Sequence, residues 1–532
     1  MKNITKLTLS IFSFLASVIL CLTFVNDVSA KASSKFSESF KFFNNTEEGP
    51  GYRIERGQTY GTDGFTIVNG KPYLLDTLNC SIITTDGKSE SKYCLEGTKY
   101  PVDVIYNNEH FYVLDMWGSE CTVLTYDSCF KLESISKTVH MDPYTMEITS
   151  DGKVMLLGEN KAMALKGEDI INVGAGVKTS RKDDNTIALS IDDYTWNINA
   201  GLNSFIKYVA HKDDILYYER CQIVDGCSEL IGELSLECIN LSGNLVSYMR
   251  IEKNQDSHIP FVYFKQIDGV SYYLSVSEAE TILSTVSLDS KIDSKFEECL
   301  KKAEESKEAV NDLENTRQMT YYANVTRSQA FTRAMNIINT GTTWQLKYQN
   351  TVIPSAYQSY ITLPDYILAI KNSGALDNGG YSMQVGTPYC WGGFDSIYTS
   401  NNPGYSTFSA AINAGYVAGN VSSAYPYKVP GTAGLDCSGF VSAVYAFTSK
   451  QGTGDLASNL NSVSSTSNLA SMDCLVYSGH HALLFSSWVN QSTGQFVLCE
   501  SNNPGDYDDR AATRTKYISN YVGNGYSMKT GW

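Results

Sequence analysis

One cysteine near the start of a predicted helix has the setting of a thiol nucleophile. Cys437 follows Asp436, a residue type favoured as a helix N-cap, and precedes an apolar run with helical periodicity. A helix N-terminus favours thiolate over thiol and lowers a reference pKa of about 8.5. Its amides, including that of Ser438, can also stabilise an oxyanion. Equally, the segment is compatible with a small buried cysteine that packs a helix N-terminus.

The distribution of histidine favours the chemical interpretation. The chain has six histidines, and after His258 only the pair His480 and His481 remains. A cysteine nucleophile needs a base that holds its proton near neutral pH, and imidazole is the usual one. This pair therefore supplies the candidate base.

A predicted hairpin carries that base. His481 begins an apolar strand over 481–488, a polar loop spans 490–494, and a second strand runs over 495–501. A register that places Asn502 opposite His481 puts Glu500 diagonal to it, so that either side chain is within reach of the imidazole. A slip of one residue would reverse the face, and His480 remains the alternative base because neighbouring strand residues face opposite sides.

Three segments in this order resemble the NlpC-type cell-wall cysteine peptidases, which are papain-like enzymes related to the CHAP amidases. They are Gly386-Thr-Pro-Tyr-Cys-Trp-Gly-Gly393, Leu435-Asp-Cys-Ser-Gly-Phe-Val441, and Asp473-Cys-Leu-Val-Tyr followed by His481-Ala-Leu-Leu-Phe485. The resemblance covers about residues 325–532. It implies an α+β papain-like domain with Cys437 as nucleophile, His481 as base and then acid, and Glu500 as the group that orients the histidine. It further implies that Tyr389 lies beside the nucleophile and contacts the oxyanion or substrate, as Ser438 is also expected to do.

The sequence departs from the family pattern at two places. A long stretch rich in Tyr, Ser and Asn, 394–435, separates the first two motifs and is expected to form a lid or reshape the substrate cleft. Met472 stands where the family usually has glycine before the aspartate of the third motif. Neither departure removes a catalytic group.

The elements before this domain read differently. Residues 50–285 contain many short apolar strands separated by Asp, Asn and Gly turns, and three strand-turn-strand units end at 76, 115 and 158. A recurrence near 40 residues predicts an all-β domain, either a β-propeller or a two-sheet sandwich. Residues 31–49 are predicted to be a linker, and the charged stretch 286–324 a helical connector docked on a neighbouring domain. A further helix is expected over 328–338, with Phe331 on its buried face.

The composition of the chain and its first 30 residues indicate where the protein acts and which partners are excluded. Residues 1–30 have two lysines, an apolar run and a small-residue end, which predicts a cleaved signal peptide and a secreted or cell-wall protein without a membrane span thereafter. A formal net charge of -16 makes nucleic acid an improbable partner. Cysteines beyond residue 350 lack a paired metal-ligand motif, so neither a metal nor a cofactor is implied. Disulfides between Cys121 and Cys129, or Cys221 and Cys227, stay open alternatives to free thiols.

Together these features predict a secreted thiol hydrolase that cleaves an amide bond in the peptidoglycan stem peptide, with an N-terminal β module that binds wall polymer or protein. Two alternatives share the residues: an amidase of the CHAP type that cleaves N-acetylmuramoyl-L-alanine, and a binding or adhesion protein whose papain-like domain is idle. Acyl transfer to an amine would use the same acyl-enzyme.

Overall fold

The chain is mostly β-structure, with 48% strand and 15% helix. The computed structural model describes residues 35–55, 58–86, 89–117, 120–201, 203–224, 229–253, 257–313, 322–339, 344–346, 353–375, 380–383, 386–502 and 509–532. The predicted signal peptide, 1–30, lies outside these residues. Within them, no helix combines the length and apolar character needed to cross a membrane.

The N-terminal part contains six consecutive antiparallel sheets. The chain enters through β1 (Lys35–Phe43) and the ribbon of β2 (Arg53–Glu55) and β3 (Gln58–Tyr60). The first sheet has β4 (Thr62–Val68), β5 (Lys71–Asp76), β6 (Ser81–Thr85) and β7 (Glu90–Cys94). The second has β8 (Pro101–Asn107), β9 (His110–Trp117), β10 (Glu120–Tyr126), β11 (Leu132–Ile135) and β12 (Val139–His140). The third has β13 (Pro143–Ile148), β14 (Val154–Gly158), β15 (Lys161–Lys166) and β16 (Asp169–Gly174).

The remaining three sheets follow the same pattern. The fourth has β17 (Lys178–Asp183), β18 (Thr186–Ile191) and β19 (Tyr194–Asn199). The fifth has β20 (Ser204–Lys212), β21 (Ile215–Val224), β22 (Ile231–Ile239) and β23 (Leu245–Ile251). The sixth has β24 (Ser257–His258), β25 (Phe264–Ile267), β26 (Val270–Ser277) and β27 (Glu280–Ser287).

The three repeated units of the sequence become the first two strands of three successive sheets. They correspond to β4–β5, β8–β9 and β13–β14. The turn of the first unit places Asn69 at φ 51° and Gly70 at φ 75°, left-handed conformations that these residue types adopt readily. The predicted strand-turn-strand repeat is confirmed.

Apolar clusters join each sheet to the next around a propeller-like ring. Leu75 of the first sheet packs with Val104 of the second, and Val102 of the second packs with Met146 of the third. A shared cluster links the third, fourth and fifth sheets, and another links the fifth to the sixth. The ring closes where Phe65 of the first sheet meets the sixth. The six sheets thus bury their faces against one another.

The predicted linker over 31–49 is wrong in part, because nine of its residues, Lys35–Phe43, form β1. This strand pairs antiparallel with β27, from Lys35 opposite Ser287 to Phe43 opposite Glu280, and so completes the sixth sheet. Phe42 is fully buried in the cluster that closes the ring. Pairing with a partner about 240 residues away leaves no local sequence signal, which is why the segment reads as a linker.

The charged connector is helical, as predicted, from α1 (Ser294–Leu313). Asp293 caps it by accepting a hydrogen bond from the Phe296 amide at 2.9 Å. Phe296, Cys299 and Ala303 are buried, and the helix packs on β21 of the fifth sheet. The predicted docking on a neighbouring domain is therefore confirmed.

The C-terminal part opens with helices and short strands. Its elements are α2 (Arg327–Asn339), β28 (Trp344–Leu346), α3 (Asp365–Asn372), β29 (Tyr381–Met383), α4 (Phe408–Asn413), β30 (Val417–Ala418), β31 (Thr432–Ala433), α5 (Cys437–Val444) and α6 (Thr453–Asn459), with 3₁₀ turns at Ser355–Tyr360, Thr466–Asn468 and Ile518–Asn520. In α2 the buried residues are Ala330, Ala334, Ile337 and Ile338. Phe331, predicted to be buried, is 40% exposed, because the small alanines and not the aromatic ring face the neighbouring helix α5.

A six-stranded antiparallel sheet forms the centre of the C-terminal part. It contains β32 (Asn461–Ser462), β33 (Cys474–Tyr477), β34 (His481–Asn490), β35 (Gln495–Ser501), β36 (Ala511–Tyr517) and β37 (Tyr526–Thr530), in the order β32-β37-β33-β34-β35-β36. One face buries Leu484 and Cys499 against α5. The other buries Phe485 and Leu498 in a cluster shared with the fifth and sixth propeller-like sheets. Since the two parts share a core, the ring supports the sheet that carries the predicted hairpin.

Candidate active site

The helix that carries Cys437 begins where the sequence predicts. Asp436 is its N-cap, with an extended backbone, and its carboxylate accepts a hydrogen bond from the Gly439 amide at 2.7 Å. Cys437 is the first residue of α5 and is 5% exposed. Gly439 leaves no room for a Cβ, because that atom would overlap the carbonyl oxygen of Gly393. The first turn of α5 is thereby pressed against the motif that contains Tyr389.

A lysine that sequence reasoning missed lies beside this N-terminus. The Lys450 ammonium is 3.0 Å from the Asp436 carboxylate. Burial opposes its charge, but Asp436 and then Cys437 outweigh burial and raise the pKa of Lys450. A positive charge next to a helix N-terminus favours a thiolate at Cys437.

His481 and Glu500 meet across the predicted hairpin. Leu484 pairs with Cys499, and this register, continued toward the start of β34, sets Asn502 opposite His481 and Glu500 diagonal to it. Nε2 of His481 lies 2.6 Å from Oε2 of Glu500, and both side chains are buried. The predicted contact is present, and Glu500 rather than Asn502 takes Nε2.

Cys437 is close enough to the imidazole to influence its charge. Glu500 occupies Nε2, and Nδ1 is buried without a hydrogen-bond partner among the described residues, so Nδ1 is the ring nitrogen available to the thiol. Burial disfavours the charged imidazolium, but Cys437 and then Glu500 outweigh burial and raise the pKa of His481 to about 9. A protonated imidazole is therefore favoured at neutral pH.

Arg514 extends this row of charges and was not singled out by sequence reasoning. Its guanidinium lies 3.2 Å from Oε1 of Glu500, and both side chains are buried. Burial raises the pKa of Glu500, but Arg514 first and His481 second hold it below its ordinary value. The available signal was alternation in β36, which puts Arg514 and Lys516 on one face of the edge strand next to Glu500.

The alternative base lies elsewhere. His480 sits in the turn before β34, exposed, with its ring stacked on Tyr477 at a centroid distance of 4.0 Å. Partial burial lowers the pKa of His480. His481, the first residue of β34, is thus the histidine that contacts Glu500 and lies near Cys437, whereas His480 lies outside the strand.

The two predicted oxyanion or substrate residues differ in placement. Tyr389 is fully buried and forms a parallel bridge with Leu435, two residues before the nucleophile, so its segment runs beside the approach to α5. Ser438 is buried, and its hydroxyl donates to Asp436 at 3.1 Å. That hydroxyl thus belongs to the helix cap. The backbone amide of Ser438 is the group of this residue that remains able to donate a hydrogen bond to an oxyanion.

The insertion over 394–435 is tied into the domain. Phe408, Val417 and Ala433 form an apolar cluster with Trp344 and Ile367 from the preceding segments. Lys428 donates hydrogen bonds of 2.7 Å to Asp395, Asn401 and Asn402, while Asp395 also accepts from the Gly434 amide. The insertion therefore forms a packed lobe whose end runs directly into Asp436 and Cys437.

Met472 shows why a glycine suits its position. Its φ is 71°, in the left-handed region that glycine adopts without cost. The side chain is nevertheless fully buried in the cluster around α5, and the Met472 carbonyl accepts a hydrogen bond from the Tyr445 hydroxyl at 2.7 Å. Packing and this bond hold an unfavourable backbone next to Asp473, the residue that directly precedes β33.

No metal-binding group of three or more His, Cys, Asp or Glu side chains occurs among the described residues. The described cysteines form no disulfide, and Cys121 and Cys129 are among them, whereas Cys227 lies outside the described residues. The site brings together four groups that follow one another in space: a thiol, an imidazole, a carboxylate and a guanidinium. Such a row supports nucleophilic attack followed by proton transfer.

Comparisons with known proteins give partial structural similarity only. No protein-family model matches the chain, and no curated protein matches it. A glutaminyl cyclase from Myxococcus xanthus is 9% identical with a TM-score of 0.29, covering 48% of this chain and 97% of its own. BamB from Moraxella catarrhalis is 8% identical with a TM-score of 0.25, covering 47% and 100%. YCF48 from Cyanidioschyzon merolae is 10% identical with a TM-score of 0.26, covering 47% and 98%.

Proposed function

We propose that this protein is a secreted cysteine hydrolase that cleaves an amide bond in the peptidoglycan stem peptide. The observation that carries the proposal is the buried row Cys437, His481 and Glu500, with the thiol at a helix N-terminus. Together with the motifs that resemble the NlpC-type peptidases, it supports a papain-like α+β domain over 325–532. A buried row of this kind is costly unless its groups are paired, so it is more typical of a functional site than of a core.

The proposed reaction starts from the thiolate–imidazolium pair. The Cys437 sulfur attacks the amide carbonyl carbon and forms a C–S bond, and the electron pair of the carbonyl moves onto oxygen. When the C–N bond breaks, the proton on His481 passes to the departing nitrogen, and an acyl-enzyme remains. Neutral His481 then takes a proton from water, whose oxygen attacks the thioester and releases the carboxylic acid and the thiolate.

Two features support stabilisation of the oxyanion. The backbone amides of the first turn of α5 are the proposed donors to the carbonyl oxygen as it develops charge, and the helix dipole would add to their effect. Tyr389, on the segment bridged to Leu435, is the proposed additional donor. Glu500 keeps the imidazole oriented throughout, and Arg514 keeps Glu500 ionised.

The propeller-like ring is proposed to bind wall polymer or protein. Its shared core with the C-terminal sheet gives a bound polymer a fixed position relative to Cys437. The strong negative charge of the chain disfavours anionic polymers such as nucleic acid as partners. A predicted leader over 1–30 supports action outside the cell.

Digestion of purified peptidoglycan tests the proposal. We expect wild-type protein to release fragments whose masses identify one cleaved amide bond, with new amines appearing in equal number to new carboxylates. Cys437→Ala should abolish release, whereas Cys94→Ala, which alters an exposed cysteine on β7, should leave it intact. Undiminished release by Cys437→Ala would exclude the thiol mechanism.

The masses also separate the two related activities. Fragments cut within the stem peptide support an endopeptidase, and intact stem peptides freed from the glycan support an amidase. If wild-type protein binds the wall but releases nothing, the domain is an idle binding module.

A further inference from the structure

A cavity lies where the propeller-like ring meets the C-terminal sheet. Its volume is about 720 Å³, within the range of small-molecule sites. The ring side includes Asp63, Val102 and Pro143, at the beginnings of β4, β8 and β13, which are the first strands of three sheets. The opposite side is formed by β36 and the turn Ile518–Asn520. Junctions between domains are preferred locations for ligands.

Two buried acceptors in this cavity have no hydrogen-bond donor. The Gln495 side chain is 3% exposed, and its Oε1 atom has no partner. Oδ1 of Asn524, which also lines the cavity, is buried without one. Leaving a buried acceptor unsatisfied costs about 1–3 kcal/mol. A ligand with N–H groups would supply what both amides lack.

The cavity lining contains five cationic side chains against four acids; the cations are Lys207, Lys253, Arg510, Arg514 and Lys516. Lys253 donates hydrogen bonds of 3.0 Å to the carbonyls of Ser519 and Asn520, and Lys207 lies 5.1 Å from the ring centroid of Tyr517. Among the described residues, neither has a carboxylate within ion-pair distance. Burial lowers the pKa of Lys253 to about 8, so an anion beside it would stabilise its charged form.

Two of the four acids in the cavity lining lie next to histidines. Asp63 is 2.8 Å from Nε2 of His258, and Glu120 is 3.8 Å from His140. Asp142 and Glu219 also line the cavity, and burial raises the pKa of Asp142. Because five cationic side chains face these four acids, the lining has an excess of one positive charge, and the two amide oxygens lack N–H donors.

We propose that this cavity is a second ligand site, which binds a short peptide through its C-terminal carboxylate at Lys253 and Lys207 and through its N–H groups at Gln495 and Asn524. The cavity extends to Arg514, which contacts Glu500, but its lining does not include Cys437, His481 or Glu500. Its existence does not depend on the hydrolase proposal. A peptide is the ligand class that carries both groups at the required size.

Calorimetric titration of the full chain carrying Cys437→Ala, which prevents turnover, tests the site. The probes are N-acetyl-alanyl-alanine and the same dipeptide with a C-terminal amide. We expect the carboxylate probe to bind at least tenfold more tightly than the amide. Lys253→Met should weaken its binding at least tenfold, while Lys137→Met, which alters an exposed lysine near β12, should not.

A second variant guards against a folding defect in Lys253→Met. Gln495→Leu removes an unsatisfied acceptor, so we expect it to raise the thermal midpoint of the unliganded protein. It should at the same time weaken binding of the carboxylate probe. Equal affinity for acid and amide, equal affinity of Lys253→Met and Lys137→Met, or no binding of either probe at millimolar concentration would each overturn the proposal. Because turnover is blocked, none of these outcomes bears on the hydrolase activity.

Discussion

Two buried histidine–carboxylate pairs lie in different halves of this molecule. In the C-terminal sheet, Nε2 of His481 is 2.6 Å from Glu500, and in the propeller-like ring, Nε2 of His258 is 2.8 Å from Asp63. Both pairs join residues far apart in sequence or across a hairpin, and all four side chains are largely buried. As isolated pairs they are nearly equivalent.

The difference lies at the other ring nitrogen. His258 uses Nδ1 to contact the Thr59 carbonyl at 2.9 Å, which fixes β24 beside β3. Nδ1 of His481 instead makes no hydrogen bond to the described residues, and the nearby Cys437 influences the charge of the ring. The pair of His258 and Asp63 thus serves packing. The pair of His481 and Glu500 is suited to proton transfer, because only this pair lies next to a group that can attack a carbonyl.

Removal of each imidazole should give the largest difference between the two histidine–carboxylate pairs. We expect His481→Ala to reduce amide hydrolysis by about 10⁴-fold or more, because proton transfer and thiolate stabilisation are both lost. His258→Ala should leave hydrolysis within about twofold and act on stability alone. Rates on purified wall, with thermal midpoints for both variants, check this; similar losses of rate in the two variants would contradict it.

Removal of the carboxylate charge should have the next largest effect. Glu500→Gln is expected to lower the rate by about 10²- to 10⁴-fold, because the imidazole loses its orienting anion and its stabilised charge. It should also reduce the free energy of unfolding by about 1–3 kcal/mol, since Arg514 loses its contact with that anion. The matched variant Asp63→Asn should change only the unfolding free energy. Denaturant titration and initial rates separate the two effects.

The pH dependence should sharpen the comparison further. The pKa of His481 is raised from 6.5 to about 9, so hydrolysis should fall as pH rises through about 9 and the imidazolium is lost. The folded state also binds this proton more tightly than the unfolded chain. Its contribution to stability is therefore full below pH 6.5 and is lost as pH rises through about 9.

Glu500→Gln supplies the control for this pH profile. With the carboxylate charge removed, the pKa of His481 should drop, and the alkaline limb of the rate profile should move to lower pH. An alkaline limb at the same pH in both proteins would show that another group controls it.

The smallest effect is expected from the neighbouring histidine. His480→Ala removes an exposed ring stacked on Tyr477 and should change hydrolysis by less than about twofold. A loss comparable to that of His481→Ala would show that His480 also takes part in the reaction.

Much of the candidate site follows from local patterns. The N-cap Asp436, the helix after Cys437 and the hairpin from His481 to Ser501 each depend on neighbouring residues, and the structure has all three. The diagonal contact of Glu500 with His481 required only the alternation of strands and the loop between them. Local hydrogen bonding and side-chain periodicity are properties of short segments, so they can be predicted from the sequence.

The missed features are those made by distant segments. The Lys450 contact with Asp436 and the Arg514 contact with Glu500 depend on how a loop and an edge strand pack. Strand β1 has no local signal, because its partner β27 lies about 240 residues away along the sequence. The spacing of Phe331 fits an apolar stripe and predicts a core position, but small residues face α5 instead.

By itself, the sequence determined the residue types of the chemistry, the elements that carry them and the repetition of the β-domain, because these arise from spacing along one chain. Only the tertiary structure decided which histidine meets Cys437, which cation keeps Glu500 ionised, and that the ring and the C-terminal sheet enclose a common cavity. The physical reason is that burial and charge pairing act through space. Their strength depends on distances between segments that sequence separation does not specify.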